Sequence, residues 1–480
     1  MAREELMAID RVFEHLERTA GRRLEELFDL LRIPSVSTLP ERREDVRRAA
    51  FWVRDACERA GLVASIHETP GHPIVFGERC ERPGAPTVLV YGHYDVQPAD
   101  PLELWKTGPF EPDVRDGAIY ARGATDDKGQ MFTWIKAIEA WNEAGGGLPC
   151  NVKVLIEGEE EIGSRNLDDW IEANHDRLRC DCVAISDSEQ FGPGLPAITY
   201  GLRGLVYYEV RVYGPKRDLH SGMFGGAVKN PLEALCEIIA GLKDPKTGRV
   251  LVEGFYDRVR PLAAWERDMF RSLPHDDARY REELGVPELR GEEGYGTLER
   301  TWARPTCEVN GIFGGFMGAG AKTVLPAWAG AKVSMRLVPD QRAGEIAAAF
   351  ERTVRRLAPP GVRVDAAPAE AFAGVAPGDP PKPYRAGGAD PVIVERETPW
   401  VRAAERALEA GFGRRPVFIR AGGSIPVVIT FKKALGADAV LMGYGLPDDG
   451  AHSPNEKFHL EDFHRGCRAS AAFLGEVARR

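Results

Sequence analysis

Acids and histidines gather at five places in this sequence: His93-Tyr94-Asp95, Asp126-Asp127, Glu159-Glu160-Glu161, Asp187 and His452. His93 and Asp95 are two apart. In an extended segment both point the same way, and such an Asp can accept one imidazole N–H and aim the other ring nitrogen at a metal. A buried histidine with a polar neighbour gives the same pattern. Asp126 and Asp127 follow the turn Gly123-Ala124-Thr125 and precede Lys128-Gly129, where acids are also favoured simply by a helix N-terminus. Three adjacent glutamates repel one another unless a cation is near, or else they form an exposed acidic turn. His452 and Asp187 could each be loop residues. Taken together, two histidines and several carboxylates form a mixed nitrogen and oxygen donor set. It suits Zn²⁺, Mn²⁺ or Co²⁺ and is unlike a four-cysteine structural site. In two-metal sites one carboxylate bridges ions about 3.5–4 Å apart, and a further, uncoordinated carboxylate can act as general base.

The elements that must position these groups read as α/β. Short apolar runs at 87–91, 152–156, 182–186 and 439–442 predict buried strands, and the polar clusters fall at or after their C-terminal ends, where open α/β sheets collect ligands. Leu24, Leu27, Phe28 and Leu31 recur at helical spacing, and helices are expected over 45–60, 130–144, 341–357 and from Val401 to Phe412. Near residue 204 the pattern changes. Residues 205–212 alternate like a strand exposed on one face, Asn230-Pro231 marks a helix start, 241–305 reads as irregular, 331–338 as a strand, and the Pro- and Gly-rich stretch 358–391 as a loop or return linker. The expected architecture is a discontinuous catalytic α/β domain with helices on both faces of a central sheet, over 1–205 and 393–480, interrupted by an inserted α+β domain at 206–392.

The bulk numbers exclude some classes. A formal net charge of −10 argues against binding nucleic acid or an anionic membrane. Basic pairs such as Arg47-Arg48 alternate with acids on a helix and read as a solvated face. None of the eight cysteines forms a C-x-x-C pair, so reduced thiols are expected. No apolar run reaches about 18 residues, and the charged stretch from Arg3 to Glu5 precedes no signal-like segment. A cytoplasmic location is the expectation.

Three longer motifs carry a resemblance: Tyr91-Gly92-His93-Tyr94-Asp95-Val96-Gln97-Pro98, Arg122-Gly123-Ala124-Thr125-Asp126-Asp127-Lys128-Gly129 and Glu157-Gly158-Glu159-Glu160-Glu161-Ile162-Gly163-Ser164. The chain resembles the co-catalytic metallopeptidase superfamily of aminoacylase, succinyl-diaminopimelate desuccinylase, glutamate carboxypeptidase and carnosinase. The segments Asp448-Asp449-Gly450-Ala451-His452-Ser453-Pro454-Asn455-Glu456 and Arg420-Ala421-Gly422-Gly423-Ser424-Ile425-Pro426 point to its carnosinase and cytosolic nonspecific dipeptidase branch.

The resemblance implies two divalent ions per subunit, zinc first and manganese or cobalt as alternatives. It implies that Asp126 bridges them, that His93 and Asp187 bind one and Glu161 and His452 the other, that Glu160 is the general base and that Asp95 orients His93. It also implies a cis Asp126–Asp127 peptide. The insertion would be a lid and dimerisation domain whose His220 reaches the partner's site in a homodimer and steadies the oxyanion. Arg336 would grip the substrate carboxylate, with Gly422, Gly423 and Ser424 from the catalytic domain and Thr323 from the lid. The implied activity is amide hydrolysis of a dipeptide through a metal-bridging hydroxide. Alternatives are deacylation of N-acyl-amino acids and, from another class, a non-catalytic binding protein on the same fold.

Overall fold

The computed structural model describes residues 2–423 and 425–479. The chain divides into two compact units, one over 1–200, 394–419 and 426–480 and the other over 201–393 and 420–425.

In the first unit the apolar runs form four parallel strands side by side: Asn151–Glu157, Thr87–His93, Cys182–Ile185 and Asp438–Gly443. Both faces are covered. Val88, Val90, Val152, Val154, Ala184 and Val440 join a core with the helices Lys128–Ala140, Pro399–Phe412 and Leu460–Ala478. On the opposite face Tyr91 packs edge-on against Phe431 of the helix Val427–Leu435. Burial on two sides is why these strands are largely apolar; Lys153 is an exception, its Nζ donating to the carbonyls of Arg177 and Arg179 at 2.5 and 2.8 Å. The sheet continues on one side through antiparallel Ile74–Arg79 and Val63–His67, and on the other through Ala197–Leu202.

The helix after the Asp126-Asp127 pair runs Lys128–Ala140 and ends in a wider turn, Trp141–Gly145. It lies tight against a strand end. A Cβ at Gly92 would come within 2.8 Å of both Met131 and Asp127. Arg42, Arg47 and Arg48 pair with Asp45 or Glu68 at exposed positions. All eight cysteines are free.

The second unit holds a four-stranded antiparallel sheet in the order Thr306–Gly314, Trp328–Leu337, Gly204–Tyr213, Arg363–Pro368. Helices Pro231–Ala240 and Ala343–Leu357 cover one face, burying Leu235, Ile238, Phe350 and Val354 against Val206, Val210 and Val333. Asn230 caps the first of them, its Oδ1 accepting from Leu232 N at 3.0 Å.

Three expectations are corrected here. Residues 358–391 are more than a linker, since Arg363–Pro368 is an edge strand. The irregular stretch contains helices Ala264–Ser272, Asp277–Glu283 and Thr297–Trp302. It is held by buried ion pairs that composition conceals, Arg304–Glu292 at 2.7 Å and Arg420–Glu266. The strand around 205–212 is not open on one whole face. Tyr207 is exposed, but Glu209 and Arg211 are buried as a pair, and Arg211 lies over Phe372 and donates to Val375 O at 3.0 Å.

Candidate metal centre

The parallel strands deliver their chemistry at one edge. His93 is the last residue of its strand, and Asp187 lies just beyond Cys182–Ile185. Glu160 opens the 3-10 turn Glu160–Ile162 that follows Asn151–Glu157. Asp126 departs from this rule. It sits on the loop leading into Lys128–Ala140, after the small strand Ala118–Tyr120 that belongs to a separate sheet. His452 lies on the loop after Asp438–Gly443, with φ of 63°. The Asp126–Asp127 peptide is cis.

The carboxylate of Asp126 stands between the two histidines. Its Oδ1 is 3.1 Å from His93 Nε2, and its Oδ2 is 2.9 Å from His452 Nε2. His93 Nε2 is also 3.9 Å from Asp187 Oδ2, and His452 Nε2 is 3.3 Å from Glu161 Oε2. Two donor groups result, His93–Asp126–Asp187 and Asp126–Glu161–His452. Within each, the donor atoms lie inside 4.8 Å of one another.

The buried Asp95 serves two contacts. Its Oδ1 is 3.4 Å from His93 Nδ1, and its two oxygens accept the backbone N–H groups of Glu160 and Glu161 at 3.2 and 3.1 Å. His93 Nδ1 also lies 3.1 Å from the Asp95 carbonyl.

The three adjacent glutamates have different surroundings. Glu159 is buried and faces away, accepting from His72 N at 3.1 Å and from Asn166 Nδ2 at 2.7 Å. Glu161 borders His452 and receives Gln97 Nε2 at 2.7 Å. Glu160 makes no side-chain hydrogen bond among the described residues.

The electrostatics are those of an acid-rich cleft. Burial, reinforced by Asp187 and Glu161 and opposed by His93, holds the Glu160 carboxyl well above the usual carboxylate range. Burial and Asp126 push Asp187 up to about 7. Burial also raises the Asp126 carboxyl, yet hydrogen bonds with His452 and His93 hold it below the ordinary value. Asp126 and Glu161 together lift His452 to about 10. Burial would lower His93, but Asp126 and Asp95 raise it well above its ordinary value. Carboxylates crowded this closely favour a cation, and imidazole nitrogen with carboxylate oxygen is a donor set for first-row divalent ions. The residues present therefore fit a metal pair.

Of the residues expected on the second unit, His220 is exposed on the short strand Leu219–His220, paired with Val324–Leu325. Its Nδ1 accepts from Gly222 N at 3.1 Å. The Thr323 carbonyl accepts from Ser221 N at 3.0 Å, which sets Thr323 beside His220. Arg336 is half-buried on Trp328–Leu337, lowered by that burial, and has no carboxylate partner among the described residues. Gly422 and Gly423 group with the second unit and not with the returning catalytic segment, because Arg203 N donates to Gly423 O at 3.1 Å and Arg203 Nε to Gly422 O at 3.3 Å. Ser424 lies outside the described residues. Arg203 went unnoticed in the sequence. Burial and the neighbouring Arg336 push it down to about 10.

The family model described as peptidase family M20/M25/M40 matches residues 89–476. The chain belongs to this family. Among curated M20 relatives, the Cys-Gly metallodipeptidase dug1 of Schizosaccharomyces pombe is 34% identical, over 98% of this chain and 99% of its own. The crystal structure of human carnosine dipeptidase 1 superposes with a TM-score of 0.83 at 31% identity, covering 98% of this chain and 99% of that one. The M20 metallo-carboxypeptidase Sso-CP2 from Sulfolobus solfataricus also gives 0.83, at 33% identity, covering 95% and 99%. The M20 fold of a mixed central sheet with a separate antiparallel-sheet unit is thus that of this chain. No helix among the described residues is long and apolar enough to cross a membrane.

Proposed function

We propose that this M20 peptidase is a dipeptidase dependent on two divalent ions, and that it acts as a homodimer on small substrates ending in a free carboxylate near the scissile bond. The observation that carries the reading is the placement of one Asp126 carboxylate between His93 and His452, with a Glu160 side chain nearby that makes no hydrogen bond among the described residues. The names of the full-length relatives support the substrate class.

His93 and Asp187 would hold one ion, Glu161 and His452 the other, and Asp126 both, with zinc, manganese and cobalt all compatible with these donors. When bound, such a pair supplies a water acidified toward neutral pH and a polarised carbonyl. Asp95 orients the His93 ring and, through its bonds to the backbone of Glu160 and Glu161, fixes the turn that aims both glutamates. Glu160 takes the proton of the attacking water and delivers it to the leaving amine nitrogen. A carboxyl raised by burial is matched to both halves of that transfer. Arg336 receives the substrate carboxylate as a fork, with the backbone of Gly422 and Gly423 on its own side, while Thr323 stands beside His220. His220 of the partner subunit donates a hydrogen bond to the oxyanion.

The test is hydrolysis of a panel of dipeptides and N-acyl-amino acids by metal-stripped protein, with Zn²⁺, Mn²⁺ or Co²⁺ restored singly. Metal-dependent dipeptide cleavage is expected. Cleavage of acyl substrates alone would replace the dipeptidase reading with a deacylase, and activity without metal would end both.

A further inference from the structure

The loop that carries Asp126 is held by a residue far away in the sequence. Glu456 is completely buried, and both of its carboxylate oxygens are saturated. Oε2 accepts from Arg122 Nη1 at 2.7 Å and from Gly123 N at 3.0 Å. Oε1 accepts from Thr125 N at 3.0 Å and from Asp126 N at 3.1 Å. A buried carboxylate is costly unless it is paired and bonded throughout, and here one guanidinium and three peptide N–H groups meet that need.

Two further ties run in parallel. Gln130 donates to Thr125 O at 2.9 Å while its Oε1 accepts from Tyr444 N at 2.8 Å. Asp449 accepts from Thr125 Oγ1 at 3.1 Å and from Leu446 N at 2.7 Å. Glu456 belongs to the same stretch of chain as His452. It therefore fastens the loop of one candidate ligand to the loop of another.

We infer that Glu456 is a positioning residue that sets the register between the Asp126 loop and the His452 loop, so that a single carboxylate presents one oxygen to each histidine. This rests on the two-ion reading above. The two ions do not depend on the clamp equally. In the Asp126–Glu161–His452 group, two of three donors sit on the loops that Glu456 joins. In the His93–Asp126–Asp187 group, two of three sit at or just beyond the ends of parallel strands and are held by the sheet. Loosening the clamp weakens one ion and largely spares the other, a split that a general loss of stability does not produce.

The experiment titrates Co²⁺ into metal-free wild-type protein and the Glu456→Gln variant, followed by calorimetry and by visible absorption. Gln preserves the shape of the side chain but turns an amide NH₂ toward donors. Wild type takes up two equivalents. The variant keeps the first within about threefold of wild type and binds the second at least about tenfold more weakly, the usual scale for a residue that supports metal ligands from behind. Peptides covering 122–127 also exchange their amide hydrogens faster in the metal-free variant. Unchanged affinities, or an equal loss at both ions, overturn the inference. Should Glu456→Gln fail to fold, Glu456→Asp, one methylene too short to reach all four donors, is read by the same two outcomes. Wild-type protein that binds fewer than two Co²⁺ defeats the two-ion reading itself and the inference with it.

Discussion

Oδ2 of Asp126 lies 2.9 Å from His452 Nε2, while Oδ1 of the same carboxylate faces His93 at 3.1 Å. In the metal-free protein the two histidines act as cations toward that one acid, which is why His452 is lifted to about 10. Bound ions must displace those protons.

Metal uptake is therefore expected to release protons. Metal binding needs neutral imidazole and ionised carboxylate, whereas His452, raised to about 10, and Asp187, raised to about 7, are both protonated at about pH 6. Affinity should rise with pH through about 7 as Asp187 ionises, and proton release should fall there by about one per subunit. Calorimetry in buffers of different ionisation enthalpy measures this. Zero proton release at about pH 6 would contradict it.

Glu160→Gln is expected to lower kcat by about 10²–10⁴-fold, the range for loss of a general base, with two ions still bound by elemental analysis. Turnover near the wild-type level would remove Glu160 from that role.

Glu159 should behave differently from its neighbours. Glu159→Ala leaves the His72 N–H and the Asn166 amide without their acceptor, at a cost of about 1–3 kcal/mol in stability. Urea denaturation of the metal-free protein reads the cost. Loss of turnover with unchanged stability would mean that the catalytic register is shifted by one residue.

Arg336→Ala is expected to raise KM for dipeptides by about 10–100-fold, the scale of a lost hydrogen bond to a charged group, with a smaller change in kcat. Dipeptide amides, lacking the carboxylate, should be cleaved equally poorly by both forms. An unchanged ratio of acid to amide substrate would place the carboxylate elsewhere.

Complementation tests His220. Glu160→Gln and His220→Ala subunits are each inactive alone. After mixing and subunit exchange, half the dimers are mixed, and each mixed dimer has one complete site, so about a quarter of wild-type activity should return. No recovery despite verified exchange would show that His220 does not serve the partner.

What the sequence disclosed follows from burial. The runs at 87–91, 152–156, 182–186 and 439–442 could be read because strands covered on both faces are mostly apolar. Val63–His67 was not, because it is the sheet's edge strand and none of its residues is buried, and Ile74–Arg79 was not, because its apolar run Ile74-Val75-Phe76 stops at Gly77-Glu78-Arg79. The buried Glu209–Arg211 pair imitates a solvent face in sequence. At the metal centre, residue type announced the acids and histidines. The separation of Glu159 from Glu160 and Glu161 needed the 3-10 turn that follows Gly158. Glu456 and Gln130 were silent because their partners are mostly backbone groups hundreds of residues away, which no side-chain pattern records.

The split of the first unit around the second also fixes an order in time. A ribosome makes His93, Asp126, Glu160, Glu161 and Asp187 before the whole second unit, and makes His452 and Glu456 only after it. Until then three peptide N–H groups of the Asp126 loop lack the Glu456 carboxylate, and one of the two donor groups lacks its histidine. In the reading proposed above, peptide hydrolysis begins only after the segment carrying His452 and Glu456 has been made and has joined the strands that precede the second unit.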